Sequence, residues 1–133
     1  MSSIRNIIKN KVFIIAEIGV NHNGSVAIAK KLIIEAKKSG ADAVKFQTFT
    51  AEDLAIETTP KVKYQQNRNR NETHYKMLKK LELNKKQFKS IIKFCSNKNI
   101  KFISTPYDHK NAKFLLEQGV KTLKIASADL IDF

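Results

Sequence analysis

The sequence predicts an α/β fold built on a parallel sheet, and three observations carry that prediction. Four short apolar runs, at residues 12–18, 42–47, 100–104 and 121–126, are too brief for ordinary helices. Between them lie longer stretches whose apolar residues recur three and four apart, the mark of amphipathic helices. Strand and helix alternate along the whole chain, which means βαβ units with right-handed crossovers. Two arrangements satisfy this order, a doubly wound sheet and a (β/α)8 barrel. In both, a ligand sits at the carboxyl ends of the strands.

The first expected strand, 12–18, runs into "GVNHNG", a turn made of residues that tolerate tight backbone geometry. Ser25 then opens a helix in which Ala27, Ile28, Leu32, Ile33 and Ala36 share a face, and Gly40 stops it. Residues 42–47 form the second strand. Residues 48–71 are polar, contain Pro60 and "QQNRNRN", and read as a loop long enough to be functional or disordered. Two helices are expected at 72–83 and 84–99. In the second, Asn84 and Gln87 stand in capping-box spacing, with Phe88, Ile91, Ile92 and Cys95 on one face. The third strand, 100–104, is stopped by "TP". Asp108 caps a helix running to Gln118, Gly119 ends it, and 121–126 is the fourth strand.

With 133 residues, the chain suffices for one core, which buries roughly two thirds of the unfolded surface. No apolar run approaches a membrane span, and residues 1–11 lack the apolar region and cleavage site of a secretory signal. A cytoplasmic protein is expected, neither exported nor membrane-spanning. The lone Cys95 suits a reducing compartment and, on a helix face, reads as a buried apolar residue rather than a reactive thiol. A net charge of +13 raises a nucleic-acid or anionic-surface partner. Arginine, the better fork for phosphates and guanine edges, occurs only three times, and the lysines fall mostly on expected solvated helix faces. A dedicated nucleic-acid role is therefore not favoured.

Charges at the strand ends point to chemistry. Glu17, Lys45 and Lys124 each sit among apolar neighbours near the carboxyl end of an expected strand. A charge there costs several kcal/mol, roughly, unless it is paired or faces a wet cavity. Alternation puts Lys45 and Gln47 on one face, and Ile15 and Glu17 on one face. Ser104 and Thr105 bring hydroxyls to the same rim, and Ser127 follows the fourth strand. Two cations, several hydroxyls and a carboxylate suit a phosphorylated or carboxylated small molecule beside a polyhydroxylated one. A simpler alternative is a salt bridge from Glu17 to Lys45 or Lys124 that merely fixes register. Gly19 and Gly24 read as turn glycines, since the dinucleotide and P-loop spacings are absent. His22 reads as a turn or capping residue, and His74 and His109 as exposed helix starts. Neither a self-contained metal site nor a Ser/His/Asp order is found.

Taken in order, "FIIAEIGVNHNG", "AKKSGADAVKFQTF", "YKMLKKLEL", "KFISTPYD" and "LKIASADL" resemble the N-terminal part of the sialic acid synthases, which make N-acetylneuraminate, legionaminate and related acids. The resemblance implies a (β/α)8 TIM barrel, with residues 1–11 as an N-terminal extension and 12–133 as the N-terminal half of the catalytic barrel, about four βα units. It also implies the reaction. The methylene carbon of phosphoenolpyruvate attacks the open-chain aldehyde of an N-acetylmannosamine-type sugar, water adds at the enol carbon, and phosphate leaves.

Carried over by motif, Lys45 and Lys124, with Thr105 and Ser127, hold phosphoenolpyruvate. Glu17 and Gln47 lie at the sugar and the reacting carbons, Glu17 as the catalytic group that orients aldehyde or water. An asparagine before "ETHYKML" touches the sugar, Asn69 fitting best, with Asn67 or Asn71 as alternatives. The resemblance implies a divalent metal, Mn2+ or Mg2+, whose ligands lie outside this chain, and a homodimer in the complete enzyme. It places the activity in carbohydrate biosynthesis for cell-surface polysaccharide, in the cytoplasm. These residues alone are expected to be inactive, as a truncated or split form of the enzyme. An assembly-only half-barrel and a basic nucleic-acid-binding module are the alternatives.

Overall fold

The computed structural model of the chain describes residues 12–55 and 73–130. Strand β1 is Ile15–Gly19, and its outgoing turn hands the chain to helix α1, Val26–Lys38. The Ser25 hydroxyl caps α1 by accepting from the Ile28 amide, as the sequence predicts. Strand β2, Ala43–Thr48, follows Gly40, whose φ of +84° ends the helix. The expected loop after β2 contains an element that the sequence pattern does not reveal, a single helical turn α2, Ala51–Leu54. Residues 56–72, including Asn67, Asn69 and Asn71, lie outside the described residues.

Helix α3, His74–Leu81, starts two residues later than expected, and the Thr73 side chain caps it by accepting from the Lys76 amide. Helix α4, Lys85–Asn97, carries the predicted capping box: Asn84 accepts from the Gln87 amide at 3.0 Å and the Gln87 side chain accepts from the Asn84 amide at 2.7 Å. Strand β3 is Lys101–Pro106 and helix α5 is His109–Glu117, capped by Asp108. Of the two histidines expected to be exposed, His109 is, while His74 is half-buried.

The strands form a parallel sheet in sequence order, β1-β2-β3. Ala16, Ile18, Val44, Phe46 and Phe102 project to one face, where α1 contributes Ala29 and Ile33, α4 contributes Phe88, Ile91 and Cys95, and α5 contributes Phe114 and Leu115. Burying each large apolar side chain there contributes about 1.5–3 kcal/mol. Cys95 is a core residue as predicted, its thiol pushed up to about 12 by burial. The three crossover helices thus cover the same face of the sheet. The opposite face carries Glu17, Lys45, Gln47, Ile103 and Thr105.

The fourth expected strand is corrected. Residues 121–126 make one parallel bridge, Leu123 to Ser104, and one ladder bond, from the Lys124 amide to the Ser104 carbonyl at 3.0 Å. Among the described residues no strand lies on its other side, and the chain turns at Ser127 into the 3-10 turn Ala128–Leu130. A strand needs a continued ladder, and here the ladder stops after one step.

A second apolar cluster sits at the carboxyl ends of the strands, made by Phe49, Ala51, Ala55 and Leu78. It ties α2 to α3. The Glu52 carboxylate accepts from Lys79 at 2.8 Å and from Tyr75 at 3.0 Å, and chiefly the Lys79 bond pulls it down to about 2. Glu82 accepts from the Ala51 amide at 3.0 Å. None of the described helices is long and apolar enough to cross a membrane.

Candidate active site

The site is set by the alternation of β2 and by a break in β1. Glu17 faces Lys45 in register, but the next pairing is Gly19 with Phe46, so β1 slips by one residue at its carboxyl end. Gly19 takes φ +53°, which a side chain rarely adopts. A Cβ added there would lie 3.2 Å from Glu17 Oε1 and 3.7 Å from Gln47 Nε2. The absent side chain therefore leaves room beside both the Glu17 carboxylate and the Gln47 amide.

Glu17 also pairs with the Lys45 ammonium. The lysine is nearly buried and the carboxylate half-exposed, at 17% and 50% side-chain exposure, so the buried cation is neutralised while the acid keeps a solvent-facing oxygen. The register salt bridge considered from sequence thus forms, and with Lys45 rather than Lys124. Gln47 faces Thr105 across β2 and β3, and Thr105 is buried on the same face. Glu17, Lys45, Gln47 and Thr105 are therefore brought together, as the spacing predicted.

Three expectations change. Ser104 does not present its hydroxyl to this face. It points to the helix-covered side, where it lies 2.7 Å from Thr48 Oγ1 and donates to the Phe46 carbonyl, because neighbouring strand residues alternate faces. Lys124 is not adjacent to Lys45. Strand β3 lies between them, so their backbones stand two strand spacings apart, roughly 10 Å. Both Lys124 and Ser127 are exposed at the edge beyond β3. Asn69 lies outside the described residues. His22 is a turn residue as expected, but a buried one. Its Nδ1 accepts from the Gly24 amide at 3.0 Å, its ring stacks on Phe46, and burial holds its pKa below the usual value.

Two residues at the same rim were not singled out from sequence. Tyr107 follows β3, and its amide still donates to the Thr48 carbonyl at 3.1 Å. Its hydroxyl is raised above the usual phenol range by burial and, after that, by the carboxylates of Asp129 and Glu17. The available signal was position: Tyr107 directly follows the "STP" that ends β3, and Asp129 stands two residues after Ser127. Among the described residues no three His, Cys, Asp or Glu side chains cluster closely enough to hold a metal ion.

The sequence and fold are similar to those of known proteins. The profile described as the NeuB family matches residues 32–133. N,N'-diacetyllegionaminic acid synthase of Legionella pneumophila is 47% identical over 119 residues, covering 89% of this chain and 33% of that protein. N-acetylneuraminate-9-phosphate synthase of Drosophila melanogaster is 35% identical over 124 residues, covering 93% of this chain and 33% of its own length. The crystal structure of the N-acetylneuraminic acid synthetase of Leptospira borgpetersenii, in complex with citrate, superposes with a TM-score of 0.74 at 36% identity, covering 92% of this chain and 39% of the other. This chain spans about a third of the length of the curated relatives it matches. Profile, relatives and fold agree: the chain belongs to the NeuB family.

Proposed function

We propose that this chain supplies the first part of a (β/α)8 barrel that condenses phosphoenolpyruvate with an N-acetylmannosamine-type sugar. The observation that carries the reading is the convergence of Glu17, Lys45, Gln47 and Thr105 on the sheet face opposite the helices, in a chain of the NeuB family. The higher identity to a relative named for diacetyllegionaminate than to one named for N-acetylneuraminate 9-phosphate favours a diacetamido sugar as acceptor.

Lys45 and Lys124 take the phosphate and carboxylate of phosphoenolpyruvate from opposite sides of β3, a spread that suits a ligand with an anion at each end. Thr105 and Ser127 add hydroxyl donors. Carbon 3 of phosphoenolpyruvate forms the new bond to the aldehyde carbon, whose oxygen takes a proton. Water adds at carbon 2, and phosphate departs as the carbonyl forms. Glu17 orients the aldehyde or the water, and Gln47 holds a sugar oxygen beside it. The family's divalent cation, Mn2+ or Mg2+, would polarise the aldehyde oxygen when bound. Among the described residues no cluster of His, Cys, Asp or Glu forms its site; we take its ligands to be contributed elsewhere in the complete enzyme, and that enzyme to be a cytoplasmic homodimer.

The test uses the complete encoded polypeptide. Lys45→Met and Lys124→Met should each weaken phosphoenolpyruvate binding, measured by calorimetry, by about 1–3 kcal/mol, the scale of a lost charge-assisted hydrogen bond. Unchanged binding in both variants would sink the reading.

A further inference from the structure

Tyr107 has no assigned role in the chemistry above, yet it continues the strand row that carries Thr105. The odd-numbered residues of β3, Ile103 and Thr105, lie beside Lys45 and Gln47 in register. The Tyr107 amide carries the ladder one residue past both strands by bonding to Thr48, so Tyr107 continues that row at its carboxyl end. Its ring meets Phe49 edge to face, with centroids 6.5 Å apart, and packs on the apolar cluster beneath α2. The ring is thereby held by carbon contacts that do not involve the hydroxyl. The row sets Tyr107 one step past Thr105, the register partner of Gln47, and burial, then the Asp129 and Glu17 carboxylates, raise its phenol above the usual range.

We infer that Tyr107 is a substrate-binding residue at the sugar end of the site, its hydroxyl donating to an oxygen of the acceptor sugar. This rests on the proposed condensation. The chemistry is complementary: the carboxylates of Glu17 and Asp129 accept hydrogen bonds and cannot donate them, whereas a hydroxylated, N-acylated sugar offers both carbonyl and hydroxyl acceptors. Among the groups in this part of the rim, the phenol is a neutral donor mounted on a packed ring. Burial, the largest influence on the phenol, favours its protonated form, so the proton stays on the oxygen at neutral pH. The lysines that take the phosphate and carboxylate lie below and beyond it, so the phenol serves the second substrate and not the first.

Tyr107→Phe in the complete encoded polypeptide removes the donor and keeps the ring against Phe49. We expect the sugar KM to rise about 3- to 10-fold, the effect of one neutral hydrogen bond. The KM for phosphoenolpyruvate and the melting temperature should stay at wild-type values. If wild type condenses the two substrates and the variant has an unchanged sugar KM, the assignment of Tyr107 is wrong while the proposed reaction stands. A changed phosphoenolpyruvate KM, or a lowered melting temperature with an unaltered sugar KM, also overturns it. Failure of wild type to condense them removes the reaction itself.

Discussion

At the scale of single residues, charge placement separates the roles of Glu17 and His22. Glu17 pairs with Lys45 yet remains half-exposed, so its carboxylate can face both a cation and a substrate. Glu17→Gln keeps size and hydrogen-bonding capacity and removes the charge. Turnover of the complete enzyme should fall at least about 100-fold, in the range of lost acid–base or orienting catalysis, while the melting temperature moves by only a few degrees, roughly, as for a half-exposed ion pair. Retained turnover with a large loss of stability would show the pair to be a register lock alone. His22 behaves differently because its ring is buried and its Nε2 has no hydrogen-bond partner among the described residues. Burial lowers its pKa from 6.5, so the unfolded chain binds a proton more readily than the folded one. Its contribution to stability is present above pH 6.5 and is lost as pH falls below it. In thermal melts between pH 7.5 and 5, wild type should lose more stability than His22→Asn, whose side-chain oxygen can still accept from the Gly24 amide. Parallel pH curves would contradict this account.

At the scale of elements, the turn after β1 is fixed by α3 rather than by its own sequence alone. Gly24 takes φ +72°, and a Cβ there would lie 2.3 Å from the Lys80 carbonyl oxygen at the end of α3. Only hydrogen fits. Gly24→Ala adds left-handed strain and a backbone clash, and should cost about 2–5 kcal/mol in denaturant unfolding. A loss below about 1 kcal/mol would mean that the turn and α3 move apart freely. The same contact bears on the site, because the turn begins at Gly19, which lies beside the Glu17 carboxylate and the Gln47 amide. Packing at the back of the turn therefore helps to hold the carboxylate at the front.

For the molecule as a whole, the balance lies between exposed apolar surface and like charge. Val12, Ile14, Ile15, Ile125 and Leu130 are exposed, and among the described residues the outer edge of β1 has no strand partner. Such an edge is a template for pairing with another chain. The net charge of +13 opposes that association, and salt screens it over about 8–10 Å at physiological ionic strength. Produced as these 133 residues, the chain should self-associate in sedimentation, more so as salt is raised, and should release no phosphate from phosphoenolpyruvate with sugar and manganese. A monomer at all salt concentrations would refute the open-edge reasoning. Phosphate release would show that these residues suffice for the chemistry.

Local physics is legible in the chain itself. The caps Ser25, Asn84 and Asp108 and the buried face of Cys95 depend on neighbours within a few residues, and the period of two is enough to put Lys45 on one face with Gln47. Facts that depend on partners distant in sequence are not legible there. The helices' common choice of one sheet face, the slip at Gly19, the pairing of Glu17 with Lys45 and the loss of Ser104 to Thr48 are contacts between residues far apart in the chain, or consequences of them. The fourth strand failed for the same reason: its apolar pattern is intrinsic, but a strand exists only where a neighbour continues its ladder. Tyr107 became visible beside the site only when tertiary packing set the end of β3 against that of β2. The sequence by itself determined which residues prefer helix or strand and which family they resemble. The tertiary structure decided which side chains share a face, because that depends on register between strands and not on any one of them.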